Sequence, residues 1–189
     1  NRAARTTCVK PAGTTSLVLG TSSGIHAWHN DYYVRRLRVG KNEAIYTYLK
    51  QNHPELVQDE YFRPHDTAVI EIPQSSPEGS ILRTESAFDL LERVKLVAEN
   101  WVKAGHRSGS NTHNVSATIS LKQEDWDEAG EWMWRNREDY NGLSVLPYDG
   151  GTYTQAPFED IKKSEFNKLV KSLHDVDITK VQEATDQTD

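Results

Sequence analysis

The chain has 189 residues, a net charge of −6 at pH 7 and 36% apolar residues. These values are typical of one ordinary domain with a buried core, and no stretch approaches the roughly 20 consecutive apolar residues that a membrane span needs. A lone cysteine can form neither an internal disulfide nor a cysteine-based metal cage, so we expect a cytoplasmic protein with no metal site and no membrane partner. Because the chain begins Asn-Arg-Ala without Met, we also expect it to be processed or cut from a longer protein.

Charge is unevenly distributed along the chain. Residues 1–50 carry eight basic side chains against two acidic ones, a net +6, which leaves −12 for the remainder. A basic region within an acidic protein predicts a local anion site, because a general polyanion binder is basic overall. We therefore expect no nucleic-acid partner. Arg35, Arg36 and Arg38 keep that alternative open, although solvated or paired strand arginines are the simpler interpretation.

The first half of the chain predicts short strands alternating with helices. In chain order the patterns indicate a strand over 4–9, a helix from about 14–16 to Gly20, a strand over 32–39, a helix over 43–52, and a strand over 67–72 closed by Pro73. Cys8 falls in the first of these strands, where a thiol is most often a small core residue. We interpret Cys8 as structural, since no adjacent base would activate it.

The second half contains the strongest helix pattern, over 86–104. Its apolar residues recur on one face, Ser86 and Asp89 can form a capping box, and Gly105 suits the position after the helix, so we expect it to pack on a sheet. The following patterns indicate a strand over 114–121, a helix over 123–136 with Trp126, Ala129 and Met133 inward, a strand over 143–146, and a helix over 158–173. From 175 to 189 the chain is polar and acidic, which is typical of a tail or linker.

About five strands alternating with helices predict an α/β layered fold with mostly parallel strands over residues 1–174. Two architectures remain open at this point. An open sheet would be a complete small domain, whereas a barrel would be only partly supplied by this chain and would leave unpaired strand edges.

One segment has the residues of an anion-binding turn. Lys10 and Pro11 lead from a strand into Ala12, Gly13, Thr14, Thr15 and Ser16 at the start of a helix. Free backbone N–H groups at a helix start, together with hydroxyl donors, suit a phosphate, and Gly13 allows close approach to the backbone. The spacing matches neither a Walker A loop nor a dinucleotide-binding fingerprint. A Ser/Thr-rich helix cap without a ligand is the alternative interpretation.

Several motifs together resemble the class II, adenosylcobalamin-dependent ribonucleotide reductases, most closely the monomeric ribonucleoside-triphosphate reductases. They are Arg-Thr-Thr-Cys-Val-Lys-Pro-Ala-Gly-Thr-Thr-Ser-Leu (5–17), Ser-Gly-Ile-His (23–26), Tyr-Tyr-Val-Arg-Arg (32–36), Gly-His-Arg (105–107), Asn-Thr-His-Asn-Val-Ser (111–116) and Leu-Pro-Tyr-Asp-Gly-Gly-Thr-Tyr (146–153). The resemblance covers about residues 1–175, and the motifs occur in the family's order.

The resemblance implies a fold and a function. The fold would be the C-terminal part of a ten-stranded α/β barrel with a central finger loop, and residues 12–16 would be the loop that binds the phosphates of a ribonucleotide substrate. In that family, adenosylcobalamin generates a thiyl radical, which removes the 3′ hydrogen of the ribose so that the 2′ hydroxyl leaves as water. The implied partners are the N-terminal portion of the reductase, which carries the finger loop, and a thioredoxin-type reductant.

The sequence also departs from a complete reductase. The family's radical cysteine lies in an Asn-x-Cys-x-Glu motif, but Thr6 and Lys10 stand at those spacings around Cys8, and no reducing cysteine pair is present. We therefore expect an excised fragment or one component of a split enzyme that is inactive alone. A non-catalytic phosphate-binding or assembly module with a reductase-like fold is the alternative. The cobalamin-contacting residues are unassigned.

Overall fold

Strands and helices alternate along most of the chain in this computed structural model, which describes residues 3, 5–148, 150 and 153–182. In chain order the strands are β1 (Cys8–Val9), β2 (Tyr32–Gly40), β3 (Val57–Asp59), β4 (Thr67–Ser75), β5 (Asn114–Leu121), β6 (Gly142–Pro147) and β7 (Phe158–Asp160). The helices are α1 (Gly13–Leu19), α2 (Ala44–Asn52), α3 (Ala87–Val97), α4 (Trp126–Arg135) and α5 (Lys163–Ser172). A π-helical turn (Ala98–Lys103) extends α3, and 3-10 turns lie at Pro54–Leu56, Gln123–Asp125 and Ile178–Lys180.

The chain divides into two units. The first is formed by Asn1–Trp28 and Glu78–Asp149, and the second by His29–Pro77 and Gly150–Asp189. The predicted boundary between a domain ending at residue 174 and a tail over 175–189 stays a prediction, and residues 183–189 of that tail lie outside the described residues.

The first unit contains a parallel sheet with the strand order β1-β5-β6. Cys8 pairs with Asn114 at one edge of β5, and Ser116 pairs with Gly142 at the other. Alternate residues of β5 are buried, as the period-2 pattern predicts, and they pack against the apolar face of α3. The buried members of this core are Leu90, Leu91, Val94, Ala98, Val102, Val115, Ala117, Ile119, Leu121 and Ala129. Each fully buried aliphatic side chain contributes about 1.5–3 kcal/mol, so this core fixes β5 firmly.

The predicted capping box at the start of α3 is confirmed. The Asp89 backbone N–H donates to Ser86 Oγ at 3.2 Å, and the Ser86 backbone N–H donates to Asp89 Oδ2 at 2.9 Å. The expected packing of this helix on a sheet is confirmed as well. The helix does not continue in regular α form to 104, because it widens into the π-helical turn after Val97.

The second unit contains an antiparallel sheet with the strand order β3-β4-β2-β7. Its core is formed by Val39, Leu49, Leu56, Val57, Ala68 and Ile70. The prediction that Pro73 closes β4 is wrong, since the strand runs on to Ser75 and Pro73 pairs with Val34 of β2. Proline has no N–H to donate to a neighbouring strand, so it is tolerated where one side of its strand is unpaired. On the β3 side of β4 the pairing covers only Ala68–Ile70, so no described strand lies beside Pro73 there.

The prediction of about five mostly parallel strands is wrong in number and direction. The described residues form seven strands, and only the sheet of the first unit is parallel. Residues 158–160 are a strand rather than the start of the last helix, because Phe158 pairs with Arg35 and its ring stacks on His29 at 4.8 Å. That helix begins at Lys163.

Two predicted core residues are exposed. Cys8 lies on the two-residue edge strand β1, which among the described strands pairs with β5 alone, and Cys8 is exposed to solvent. Trp126 begins α4 and is 39% exposed, whereas Trp132 packs against the core and donates from Nε1 to Glu92 Oε1 at 2.6 Å. Ala129 is buried, as predicted. Across the described residues, no helix combines the length and apolar character that crossing a membrane demands.

Candidate functional site

The predicted phosphate segment lies between the end of β1 and the start of α1 in the first unit. The helix begins at Gly13, with Ala12 as its N-cap residue, and ends at Leu19, with Gly20 as its C-cap residue in the left-handed conformation (φ 61°). The Thr21 N–H donates to the Ser16 carbonyl at 2.9 Å, which satisfies one of the last carbonyls of the helix. The predicted order of strand, loop and short helix is therefore confirmed, although the strand is shorter than the predicted 4–9, with Cys8–Val9 alone in strand form, and the helix begins at Gly13 rather than at 14–16.

The start of α1 has no side-chain cap, because Ala12 carries no hydrogen-bonding side chain. An α-helix leaves its first N–H groups without intrahelical partners, and here those groups belong to Gly13, Thr14 and Thr15. No described residue accepts a hydrogen bond from these three amides. All three residues are exposed, and the first turn contains no acidic side chain. This helix start therefore presents a set of unused donors to solvent, with the partial positive charge of the helix end behind them.

The two flanking residues of the predicted site have a different role in the structure. The Ala12 N–H donates to Ser23 Oγ at 2.8 Å, and the buried Ser16 hydroxyl donates to the Gly13 carbonyl at 3.0 Å. The Ser16 N–H donates to the Ala12 carbonyl at 3.3 Å. Ala12 and Ser16 thus shape the turn, while Gly13, Thr14 and Thr15 hold the donors that a ligand can use.

A second turn, Ser23–Gly24–Ile25–His26, packs against the phosphate segment and hydrogen-bonds to it. Gly24 has φ 62°, and a Cβ at this position would lie 2.4 Å from the Lys10 carbonyl oxygen. Only glycine allows the two backbones to lie this close. Ser23 supplies the acceptor for Ala12, and His26 bonds both to Ser23 and to β5. Sequence reasoning noted these residues only as part of a family motif, since no spacing rule indicates that a histidine ten residues after Ser16 supports the loop.

The arginines of β2 lie in the second unit and are mostly paired with carboxylates. Arg36 Nε lies 2.5 Å from Glu71 Oε1, and Arg36 Nη2 lies 2.5 Å from Glu159 Oε2. Burial acts to lower the pKa of Arg36, but the hydrogen bonds to Glu71 and Glu159 outweigh burial and raise the pKa overall. Arg38 Nε lies 3.4 Å from Glu60 Oε1. The paired interpretation of Arg36 and Arg38 is confirmed, and their charges are neutralised locally.

Arg35 has different surroundings. Its guanidinium lies over the Phe158 ring, 4.6 Å from the centroid, and Nε is buried without a hydrogen-bond partner among the described residues. Burial lowers the pKa of Arg35, and this effect exceeds the opposing influence of Tyr33. Tyr33 is itself 3% exposed and packs edge-on against His29 at 5.3 Å. Tyr33 is therefore a core aromatic residue.

The later motifs have mainly structural contacts in the described part of the chain. The His113 ring packs against Trp101 with centroids 4.6 Å apart, and Arg5 Nη2 lies 3.3 Å from His106 Nδ1. Asp149, Gly151 and Thr152 of the 146–153 motif lie outside the described residues. Among the residues that are described, no group of three or more His, Cys, Asp or Glu side chains is arranged to hold a metal ion.

Comparison with known proteins identifies the chain's relatives. No family model matches the chain. It is 28% identical over 191 residues to a probable adenosylcobalamin-dependent ribonucleoside-triphosphate reductase of Dictyostelium discoideum, covering 93% of this chain and 22% of that protein. Adenosylcobalamin-dependent ribonucleoside-triphosphate reductases of Euglena gracilis and Lactobacillus gasseri are 28% and 27% identical, over 88% and 89% of this chain and 22% of theirs.

A solved structure shows the same fold. The crystal structure of a B12-dependent (class II) ribonucleotide reductase superposes with a TM-score of 0.70 at 24% identity, covering 87% of this chain and 22% of that one. The homologues of the chain are thus adenosylcobalamin-dependent ribonucleoside-triphosphate reductases, and the resemblance predicted from the motifs is confirmed. The chain spans about a fifth of the length of the relatives it matches.

Proposed function

We propose that this chain is the part of an adenosylcobalamin-dependent ribonucleotide reductase that binds the phosphates of the ribonucleotide substrate. The observation that carries the proposal is that the N–H groups of Gly13, Thr14 and Thr15 have no acceptor among the described residues, within the motif that resembles the family's phosphate loop. Backbone N–H groups at a helix start bind phosphate oxygens without a buried cation. The exposed hydroxyls of Thr14 and Thr15 add two further donors, while Ala12 and Ser16 hold the turn in shape.

The proposed architecture follows from the same relatives. The parallel strands β1, β5 and β6 would form part of the family's ten-stranded barrel, and the N-terminal portion of the reductase would supply the finger loop and the radical cysteine. Cys8 does not fit the radical role, because it lies on an exposed edge strand between Thr6 and Lys10 rather than in an Asn-x-Cys-x-Glu loop. Reduction by a complete enzyme would also need a thioredoxin-type reductant. We propose that the chain alone is inactive.

Adenosylcobalamin would supply the radical chemistry in the complete enzyme. The described residues near the phosphate loop do not fit a ligand for its cobalt ion. His26, the imidazole that bonds to the Ser23 turn, has both ring nitrogens engaged by backbone groups of the protein. The cobalamin-contacting residues therefore stay unassigned, and the proposed role of residues 12–16 concerns the substrate.

Calorimetric titration of the chain with a ribonucleoside triphosphate tests the phosphate role. The triphosphate should bind, inorganic tripolyphosphate should compete with it, and the nucleoside without phosphates should bind at least tenfold more weakly. Equal affinity for the nucleoside and its triphosphate would refute the proposal, because the nucleoside lacks the phosphate oxygens that the amides and hydroxyls of this loop would bind.

Gly13 offers a variant that separates binding from folding. A Cβ at Gly13 meets nothing within 4 Å in the protein, so Gly13→Ala should fold normally and yet obstruct a phosphate that approaches the backbone closely. Gly130→Ala is the matched control: Gly130 lies in α4, its Cβ would also meet nothing within 4 Å, and binding should be unchanged. Equal affinities of the two variants would contradict a phosphate contact at Gly13.

The enzymatic part of the proposal needs the remaining reductase. Co-expression of the chain with the N-terminal portion of its reductase, followed by addition of adenosylcobalamin and a dithiol, should give deoxyribonucleotide formation. Triphosphate binding without any turnover in the assembled complex would favour the non-catalytic module over the enzyme component.

A further inference from the structure

His26 joins the phosphate loop to the central strand of the parallel sheet. Its Nε2 lies 3.0 Å from the Thr118 backbone nitrogen in β5, and its Nδ1 lies 2.7 Å from the Ser23 carbonyl oxygen. Thr118 lies three residues past Val115, where the pairing of β1 with β5 ends. His26 therefore takes the place of a strand on the edge of β5 that β6 does not occupy.

The two backbone partners determine the protonation state of the ring. A carbonyl oxygen can only accept, so the proton must be on Nδ1, and a backbone N–H can only donate, so Nε2 must carry a lone pair. This arrangement requires neutral imidazole in one tautomer. Protonation of His26 would place an N–H on Nε2, directed at the Thr118 N–H, and the hydrogen bond to β5 would be lost.

The turn that His26 holds is the one that positions the phosphate loop. Ser23 accepts from His26 through its carbonyl and from the Ala12 N–H through its hydroxyl. Gly24 lies against the Lys10 carbonyl so closely that a Cβ would be only 2.4 Å from it. A displacement of this turn therefore changes the positions of Lys10 and Ala12, and Ala12 immediately precedes the amides of Gly13, Thr14 and Thr15.

We propose that His26 is a positioning residue that fixes the phosphate loop only in its neutral, Nδ1-protonated form, so that acidification releases the loop and weakens phosphate binding. The proposal rests on the function proposed above for residues 12–16. It assigns to this site a pH dependence that arises in the protein and adds to any titration of the ligand.

The charged groups around His26 are few. From α3, Arg93 Nη1 donates to the Ile25 carbonyl at 2.9 Å, next to His26 in sequence, and the same guanidinium is paired with Glu85. From the loop, Lys10 lies on the segment that Gly24 packs against. The contact with β5 is the uncharged Thr118 backbone. No carboxylate among the described residues pairs with the His26 ring.

The tautomer can be measured on the unmodified chain without any ligand. Long-range ¹H–¹⁵N correlation spectra should show His26 with the proton on Nδ1 at neutral pH. The Thr118 and Ala12 amide signals should both shift as the pH is lowered. A His26 proton on Nε2 at neutral pH, or protonation of the His26 ring without a change at Ala12, would overturn the proposal.

His26→Gln provides the binding test, because a glutamine oxygen can accept from Thr118 at every pH. Between about pH 7.5 and 5.5, the range in which histidines change charge, the wild type should lose about tenfold more triphosphate affinity than His26→Gln. Protonation of the ligand itself affects both proteins equally. His65→Gln, at an exposed histidine of the other unit, is the control and should retain the wild-type pH dependence.

The outcomes separate the two proposals. Absence of triphosphate binding by the wild type at pH 7.5 would remove the proposed function, while the tautomer and the Ala12 shift would still test the His26 link. Normal binding with the same pH dependence in wild type and His26→Gln would overturn the role of His26 alone. If His26→Gln does not fold, the ligand-free spectra of the wild type decide.

Discussion

Replacing Gly24 by alanine should damage both the stability of the chain and its phosphate site. Gly24 has φ 62°, where a residue with a Cβ costs about 1–2 kcal/mol. The new Cβ would also lie 2.4 Å from the Lys10 carbonyl oxygen, inside the 3.0 Å that Cβ contacts keep. Relief of such overpacking costs typically about 1–3 kcal/mol more. We expect Gly24→Ala to lower the free energy of unfolding by about 2–5 kcal/mol in total.

Gly20→Ala is the matched control, because it measures the cost of a Cβ at positive φ without the close contact. Gly20 has nearly the same φ, 61°, but a Cβ there meets nothing within 4 Å. Gly20→Ala should therefore lose only the conformational part, about 1–2 kcal/mol. Urea denaturation measures both variants. Calorimetry with a triphosphate should then show normal affinity for folded Gly20→Ala and weakened affinity for folded Gly24→Ala. If the two variants are equally stable and bind equally well, the close contact between Gly24 and Lys10 does not position the loop.

Two further predictions concern the second unit. Arg36→Ala should lower the free energy of unfolding by about 2–3 kcal/mol in urea denaturation, since it removes a mostly buried partner from Glu71. Arg38→Ala should cost less than about 1 kcal/mol, because the Arg38 side chain is 40% exposed and the buried Glu60 carboxylate keeps hydrogen bonds from the Phe62 and Arg63 N–H groups. Similar losses in the two variants would contradict this reasoning. A hydrogen bond from the Arg63 side chain, together with one from the Thr67 hydroxyl, lowers the pKa of Asp66 from 3.8 to about 2. The contribution of Asp66 to stability should therefore be fully present above the pKa of Asp66 in the unfolded chain, and it should be lost as the pH falls towards 2. Asp66→Asn should flatten the acid side of a curve of unfolding free energy against pH. An unchanged acid side would refute this prediction.

Sequence periodicity predicted those elements whose signals are local. The β5 strand has the predicted bounds because every second residue of Asn114–Leu121 is apolar, and the start of α3 follows from Ser86 and Asp89. Pairing direction is different, since period-2 alternation is the same for parallel and antiparallel strands. The antiparallel sheet of the second unit was therefore missed. So was the strand at Phe158, which is stabilised by stacking on His29 and Arg35, both more than a hundred residues earlier in the chain.

The candidate site, too, could be predicted from the sequence only in part. Local sequence predicted where the loop and its helix lie, because breaker residues and helix-start preferences act over a few positions. It did not predict that the Ser16 hydroxyl donates to Gly13, nor that Ser23 and His26 hold the loop. These contacts depend on how the chain returns to β5, and they have no signature in residue spacing. Helical periodicity similarly could not show that the packed face of α4 includes Trp132 and leaves Trp126 exposed.

The most direct test of the phosphate loop is an amide-resolved titration. In ¹⁵N–¹H spectra, added ribonucleoside triphosphate should shift the Gly13, Thr14 and Thr15 amides most strongly, and inorganic tripolyphosphate should reproduce those shifts. The Ala12 and Ser16 amides, which already donate within the protein, should move less. Large shifts confined to other parts of the chain, with these three amides unchanged at saturation, would contradict a phosphate site at the start of α1.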